Sequence, residues 1–136
     1  MAEEPPFSPV IALLTFSRVW EAQLADALKP FGLTTRKYGL LGHIKGSPGI
    51  SFSELARRSR ITVQSAHAAV AGFATEGLVE DATAHAGASS SLRVTPRGEE
   101  LLDRAAAIVV ELDAALSERM PQLSEALAHE LRRRLA

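Results

Sequence analysis

Between residues 51 and 95 the chain carries a close succession of helix starts and stops, and their order narrows the possible folds more than any other feature. Ser51-Phe-Ser-Glu54 has the spacing of a capping box, in which the Ser51 hydroxyl accepts from a backbone N–H while Glu54 reaches back to the helix start. A short helix follows, with Leu55 and Ala56 inward and Arg57 and Arg58 outward. After a break at Ser59–Arg60, Thr62 caps a second helix running to about Glu76. Val63, Ala66, Val70 and Phe73 form its inward stripe, and Gly77 is placed to turn the chain just past its end. Leu78–Thr83 (LVEDAT) alternates like a strand, and Ser91–Thr95 (SLRVT) can pair back with it. Between them Ala84–Ser90 (AHAGASS) is small, polar and glycine-containing, suited to a hairpin tip.

Apolar helices flank this region. Residues 1–8 (MAEEPPFS) read as a flexible tail. From Pro9, Val10, Leu13, Leu14, Val19, Trp20, Leu24 and Leu28 recur at helical spacing until Pro30–Phe31–Gly32 stops the helix. Thr34 caps a helix through about Ile44; Gly39 and Gly42 each weaken it by ~1 kcal/mol against Ala, which predicts close packing at both. Thr95–Pro96 restarts the chain as N-cap and first helical residue. Leu101, Leu102, Ala105, Ile108, Val109, Leu112, Ala115 and Leu116 then sustain a near-heptad stripe, and after Pro121 the residues Leu123, Leu127, Leu131 and Leu135 form a ladder. The pattern predicts a mainly α fold with a small β-hairpin wing: a winged helix-turn-helix with flanking dimerisation helices. The lobe covers residues 33–95, with a recognition helix at about 62–76 and a wing at about 78–95. Residues 9–32 and 96–136 supply the dimerisation helices, too apolar for a monomer of 14.5 kDa and best buried against a second copy.

Composition excludes other classes. Hydrophobic residues make up 46%, enough for a core. No apolar run reaches the ~18–20 residues of a membrane helix, and Met1–Pro9 lacks the basic start of a signal peptide, so the expectation is a cytoplasmic protein with no membrane partner. There is no cysteine, hence no disulfide and no thiolate zinc site, and the 4 histidines show no His-x₃-His pairing. No metal or other cofactor is expected. No nucleophile elbow, phosphate loop or paired inward carboxylates appear, which argues against an enzyme. The net charge of −1 does not advertise nucleic-acid binding, but Lys and Arg fall in two blocks, and none lies between Ile61 and Leu92.

The chain resembles the multiple-antibiotic-resistance-regulator (MarR) family. The resemblance is carried by Leu33–Thr34, by Ser53–Glu54–Leu55–Ala56–Arg57, by Glu76–Gly77–Leu78–Val79–Glu80, and by Leu92–Arg93–Val94–Thr95 with Gly98 and Leu101–Leu102. It implies a homodimer clamped by the first and last two helices, binding a palindromic operator in double-stranded DNA as a regulator, usually a repressor, and often released by a small molecule. The chain departs from the family at the reading head. The wing tip's usual Asp and Arg fall on Ala86 and Ala88, and basic positions of the recognition helix fall on Ala68 and Gly72. Base contact is then left to Thr62, Gln64, Ser65 and His67, since Gln matches adenine and Ser or Thr suits either base type. Phosphate contact is left to Arg57, Arg58, Arg60 and Arg93, with His85 at the wing tip. The family's pockets between the dimer helices and the lobe point to Phe16, Arg18, Trp20, Tyr38 and His43 for a small aromatic or anionic effector. The basic-free stretch keeps an alternative open: a dimeric small-molecule- or partner-binding module with weak or lost DNA binding.

Overall fold

The computed structural model describes residues 3–82 and 90–135. Six α-helices and one hairpin follow in the order α1 (Pro9–Leu28), α2 (Thr35–Gly46), α3 (Phe52–Ser59), α4 (Val63–Thr75), β1 (Val79–Asp81), β2 (Leu92–Val94), α5 (Pro96–Arg119) and α6 (Pro121–Leu135). A 3₁₀ turn, Lys29–Phe31, closes α1 and ends on Gly32 at φ 68°.

Short polar side chains start the first five of the six helices. Ser8, Thr34, Ser51, Thr62 and Thr95 each accept a backbone N–H of the first turn through the side-chain oxygen, satisfying a donor that has no partner inside the helix. Glu54 does not close the capping box as expected. Its carboxylate turns outward to Arg57 and Arg58, whose charge-assisted bonds outcompete a single backbone N–H. Gly77 follows α4 at φ 74°, the left-handed conformation that a residue with a Cβ avoids.

The hairpin is shorter than its alternating pattern, pairing Val79 with Val94, Glu80 with Arg93 and Asp81 with Leu92. Ile50 adds a single bridge on the other side of β2, with Leu92 donating to Ile50 and Gly49 donating to Leu92, both at 2.9 Å. This ties the turn before α3 to the wing. His85 and all of the expected hairpin tip Ala84–Ser90 except Ser90 lie outside the described residues.

One core joins these parts. Leu28 of α1, Leu41 and Ile44 of α2, Leu55 of α3, Phe73 of α4, Leu92 of β2 and Leu102 of α5 are all buried. Each such side chain contributes roughly 1.5–3 kcal/mol of transfer free energy. Lys45 of α2 also reaches Asp103 of α5 at 3.1 Å. Outside this core the long helices remain bare: α6 has no buried residue among those described, and Val10 of α1 and Leu131 of α6 are 66% and 61% exposed.

Two packing expectations fail. Val63, the first residue of α4, is not part of the inward stripe but is 44% exposed. Gly39 and Gly42 are not sites of close approach within the chain: nothing lies within 4 Å of where their Cβ atoms would stand.

Candidate nucleic-acid interface

The interface is built on α3, the turn after it, and α4. Burial of Ala66, Val70 and Phe73 against the core leaves Gln64, His67, Ala68 and Ala71 on the outward face, as the 3.6-residue period requires. Among the expected base-contacting residues, Thr62 and Ser65 form a closed pair. The Thr62 hydroxyl accepts the Ser65 N–H at 3.0 Å and bonds to the Ser65 hydroxyl at 2.9 Å. His67 is not a free surface residue. Its ring stacks on Phe52 of α3 with centroids 3.8 Å apart and planes 23° from parallel. Gln64 is exposed one turn from the cap.

The arginines expected to meet phosphate fall into three situations. Arg57 and Arg58 both grip the Glu54 carboxylate, and Arg58 also donates to the Ser47 hydroxyl at 2.6 Å. The guanidinium of Arg57, then that of Arg58, holds the Glu54 carboxyl at about 2, far below its usual 4.5. The same pairing raises Arg57 above its ordinary value. Arg60 caps α3 in a left-handed conformation, φ 54°, and projects into solvent. Arg93 lies across the hairpin from Glu80 and shares a small cavity with Glu80, Glu99 and Lys45, so carboxylates already border it.

The residues expected to form one effector pocket are dispersed. Phe16 lines an apolar cavity of about 730 Å³ near the α5–α6 junction. Trp20 lines another, of about 360 Å³, against Leu112 and Leu127. Tyr38 packs on the core, and Arg18 is exposed on α1. Only His43 lines a cavity rich in cations, the cleft of about 280 Å³ where α2 faces the α3–α4 turn. There it joins Arg58, Arg60 and a residue the sequence did not single out, Arg36, over the bare backbone of Gly39. Arg36 was missed because 22 positions separate it from Arg58 along the chain; only the packing of α2 on α3 makes them neighbours.

Comparison with known proteins agrees with this architecture. A family model described as MarR family matches residues 31–87. An HTH-type transcriptional repressor of Mycobacterium tuberculosis, Rv2887, is 31% identical over 128 residues, covering 92% of this chain and 91% of its own. The structure of Rv2887 with p-aminosalicylic acid superimposes with a TM-score of 0.75 at 29% identity over 96% of this chain and all of that one. The complex of Rv2887 with DNA gives 0.77 at 25% identity, covering 96% of this chain and 99% of that one. A mutant MarR from E. coli shares the fold, with a TM-score of 0.82 at 15% identity over 98% of this chain and 100% of its own. With a relative this similar along nearly its whole length, the chain belongs to the MarR family.

Proposed function

We propose that the protein is a dimeric, sequence-specific DNA-binding transcription regulator, acting as a repressor and responsive to a small aromatic or anionic effector. The observation that carries this reading is α4: a capped helix with one face locked into the core and the other bare, seated on α3 beside a hairpin wing. A helix so presented fits a major groove about 12 Å wide. Thr62, Gln64, Ser65 and His67 stand at the base-reading end, and Arg57, Arg58 and Arg60, with Arg36 beside them, can meet phosphate. Such a role goes with residence beside DNA, in the cytoplasm.

The bare long helices support the dimer. A folded monomer of 14.5 kDa exposes about 6,900 Å², whereas this chain exposes 9704 Å². The excess, about 2,800 Å², is more than the roughly 1,000–2,500 Å² that each partner contributes to an obligate homodimer interface, so a dimer seam of that class fits within it. Val10, Leu14, Leu127 and Leu131 lie on the surface to be covered.

The relative Rv2887 has been captured with DNA, with salicylic acid and with p-aminosalicylic acid, which supports an effector-responsive regulator here. In this chain the cleft bordered by Arg36, His43, Arg58 and Arg60 offers a carboxylate the most cations. An anion there would pull on α2, which is tied to α5 through Lys45 and Asp103, and so on the spacing of the two recognition helices. A dimer whose helices are not about one DNA turn apart cannot engage both half-sites.

A second reading, a dimeric small-molecule- or partner-binding module with weak DNA binding, is favoured by one observation: no Lys or Arg lies between Ile61 and Leu92. Fluorescence anisotropy with duplexes from the region upstream of the protein's own coding sequence, at two salt concentrations, separates the two. The regulator binds one duplex well above random sequence; uniformly weak binding at ~50 mM salt favours the module.

A further inference from the structure

We infer that α4 selects half-sites rich in A·T pairs, reading adenine through Gln64 and thymine methyl groups through a row of small apolar side chains. This rests on the DNA-binding function proposed above and specifies which bases that function recognises.

The outward face of α4 runs through Gln64, Ala68 and Ala71, the i, i+4, i+7 progression opposite the buried Ala66, Val70 and Phe73. Val63 adds an exposed side chain in the first turn. Nothing lies within 4 Å of where a Gly72 Cβ would stand, so the middle of this face is smooth and open. At its start, the Thr62 hydroxyl is engaged with both the amide and the hydroxyl of Ser65. The hydrogen-bonding capacity of the face is therefore concentrated in Gln64 and His67.

The chemistry of the base edges sorts what such a face can bind. Guanine is read by paired donors to O6 and N7, from Arg or Lys; the helix has neither. Gln64 carries the adjacent donor and acceptor that match adenine N7 and N6. Thymine alone presents a methyl group in the major groove, and the side chains of Val63, Ala68 and Ala71 gain by covering it. Against the amino group of cytosine the same surface would strip water from a donor and return no bond. His67, laid on Phe52, can offer an N–H to N7, an atom both purines share.

The test begins with selection by the full-length protein from a duplex pool with randomised positions. The expected outcome is a palindromic site whose half-sites are dominated by A·T pairs. Each selected thymine is then replaced by deoxyuridine, which removes only the methyl group. At one or more thymines per half-site, affinity should fall about fourfold, the worth of one buried methyl group. The variant A68R, on the exposed face, should shift selection toward guanine at one position per half-site. Guanine-centred half-sites with the native protein, or deoxyuridine duplexes that bind as well as the parent at every position, would overturn the inference and leave the regulator standing. Failure to enrich any sequence would overturn both.

Discussion

The imidazole of His67 lies on the ring of Phe52 with 3.8 Å between centroids, so the first helix of the pair directly holds a residue of the second. His67 is exposed and Phe52 is half-buried against the core; the stack covers apolar area and fixes the plane in which the imidazole nitrogens point. Such pairs contribute about 0.5–1.5 kcal/mol beyond area burial. F52A should therefore lower unfolding stability by about 2 kcal/mol and reduce discrimination between selected and random DNA. H67A should cost less stability and reduce discrimination similarly. Urea unfolding with parallel anisotropy titrations checks this; full discrimination in F52A would show that the stack does not position a reading group.

Arg60 separates backbone need from side-chain role. Its φ of 54° is left-handed, where a Cβ is strained by about 1 kcal/mol and glycine is not. R60G should leave the protein as stable or up to about 1 kcal/mol more stable, yet bind all DNA sequences more weakly. The slope of log affinity against log salt should drop by about 0.9 for each phosphate that the guanidinium no longer neutralises. A drop confined to one sequence would instead make Arg60 a base reader.

Gly98 and Gly39 should respond oppositely to a methyl group. A Cβ at Gly98 would collide with the Leu78 carbonyl and the Val94 side chain, where α5 crosses the hairpin. G98A should cost about 2–3 kcal/mol through overpacking. At Gly39 the space is open, so G39A should add about 1 kcal/mol by helix propensity alone. Thermal unfolding of both variants decides it; a destabilised G39A would mean that a second copy packs there.

Glu54 gives stability a pH signature. Arg57 and Arg58 lower its carboxyl to about 2 from 4.5, so the folded state holds the ionised form more strongly than the unfolded chain does. Its contribution is fully present above pH 4.5 and disappears as pH falls toward 2. The stability gap between the native protein and E54Q should be constant from pH 5 to 7 and close across that acidic window. A gap that persists at pH 2 would show that Glu54 acts through something other than its charge. At neutral pH, E54Q should also bind DNA more tightly, since two guanidinium groups lose a competing carboxylate.

How much of this was legible in the sequence depended on the range of the interaction. The caps at Thr34, Ser51, Thr62 and Thr95 and the left-handed Gly77 were readable because each is decided within a few residues. Gly98 stood out as part of the family resemblance, and the structure supplies the collision that requires it. Packing between helices was not readable. Periodicity put His67 on an outer face but could not say that Phe52, 15 positions earlier, lies under it. The helix-propensity cost of Gly39 and Gly42 likewise suggested neighbours that they lack, since which side of α2 stays open is settled by where α1, α3 and α5 pack. The expected effector residues scattered for the same reason: Phe16 and Trp20 follow α1 toward the bare long helices, while His43 follows α2 to the arginine-lined cleft.

The most direct test of a two-headed DNA reader is a footprint of the full-length protein on the duplex it binds best, with the mass of the complex measured in the same buffer. Two protomers on one duplex should protect two half-sites about 10–10.5 base pairs apart, centre to centre, with protection focused in the major groove. A single protected half-site with one protomer bound, or no protection above random sequence at ~50 mM salt, would contradict it.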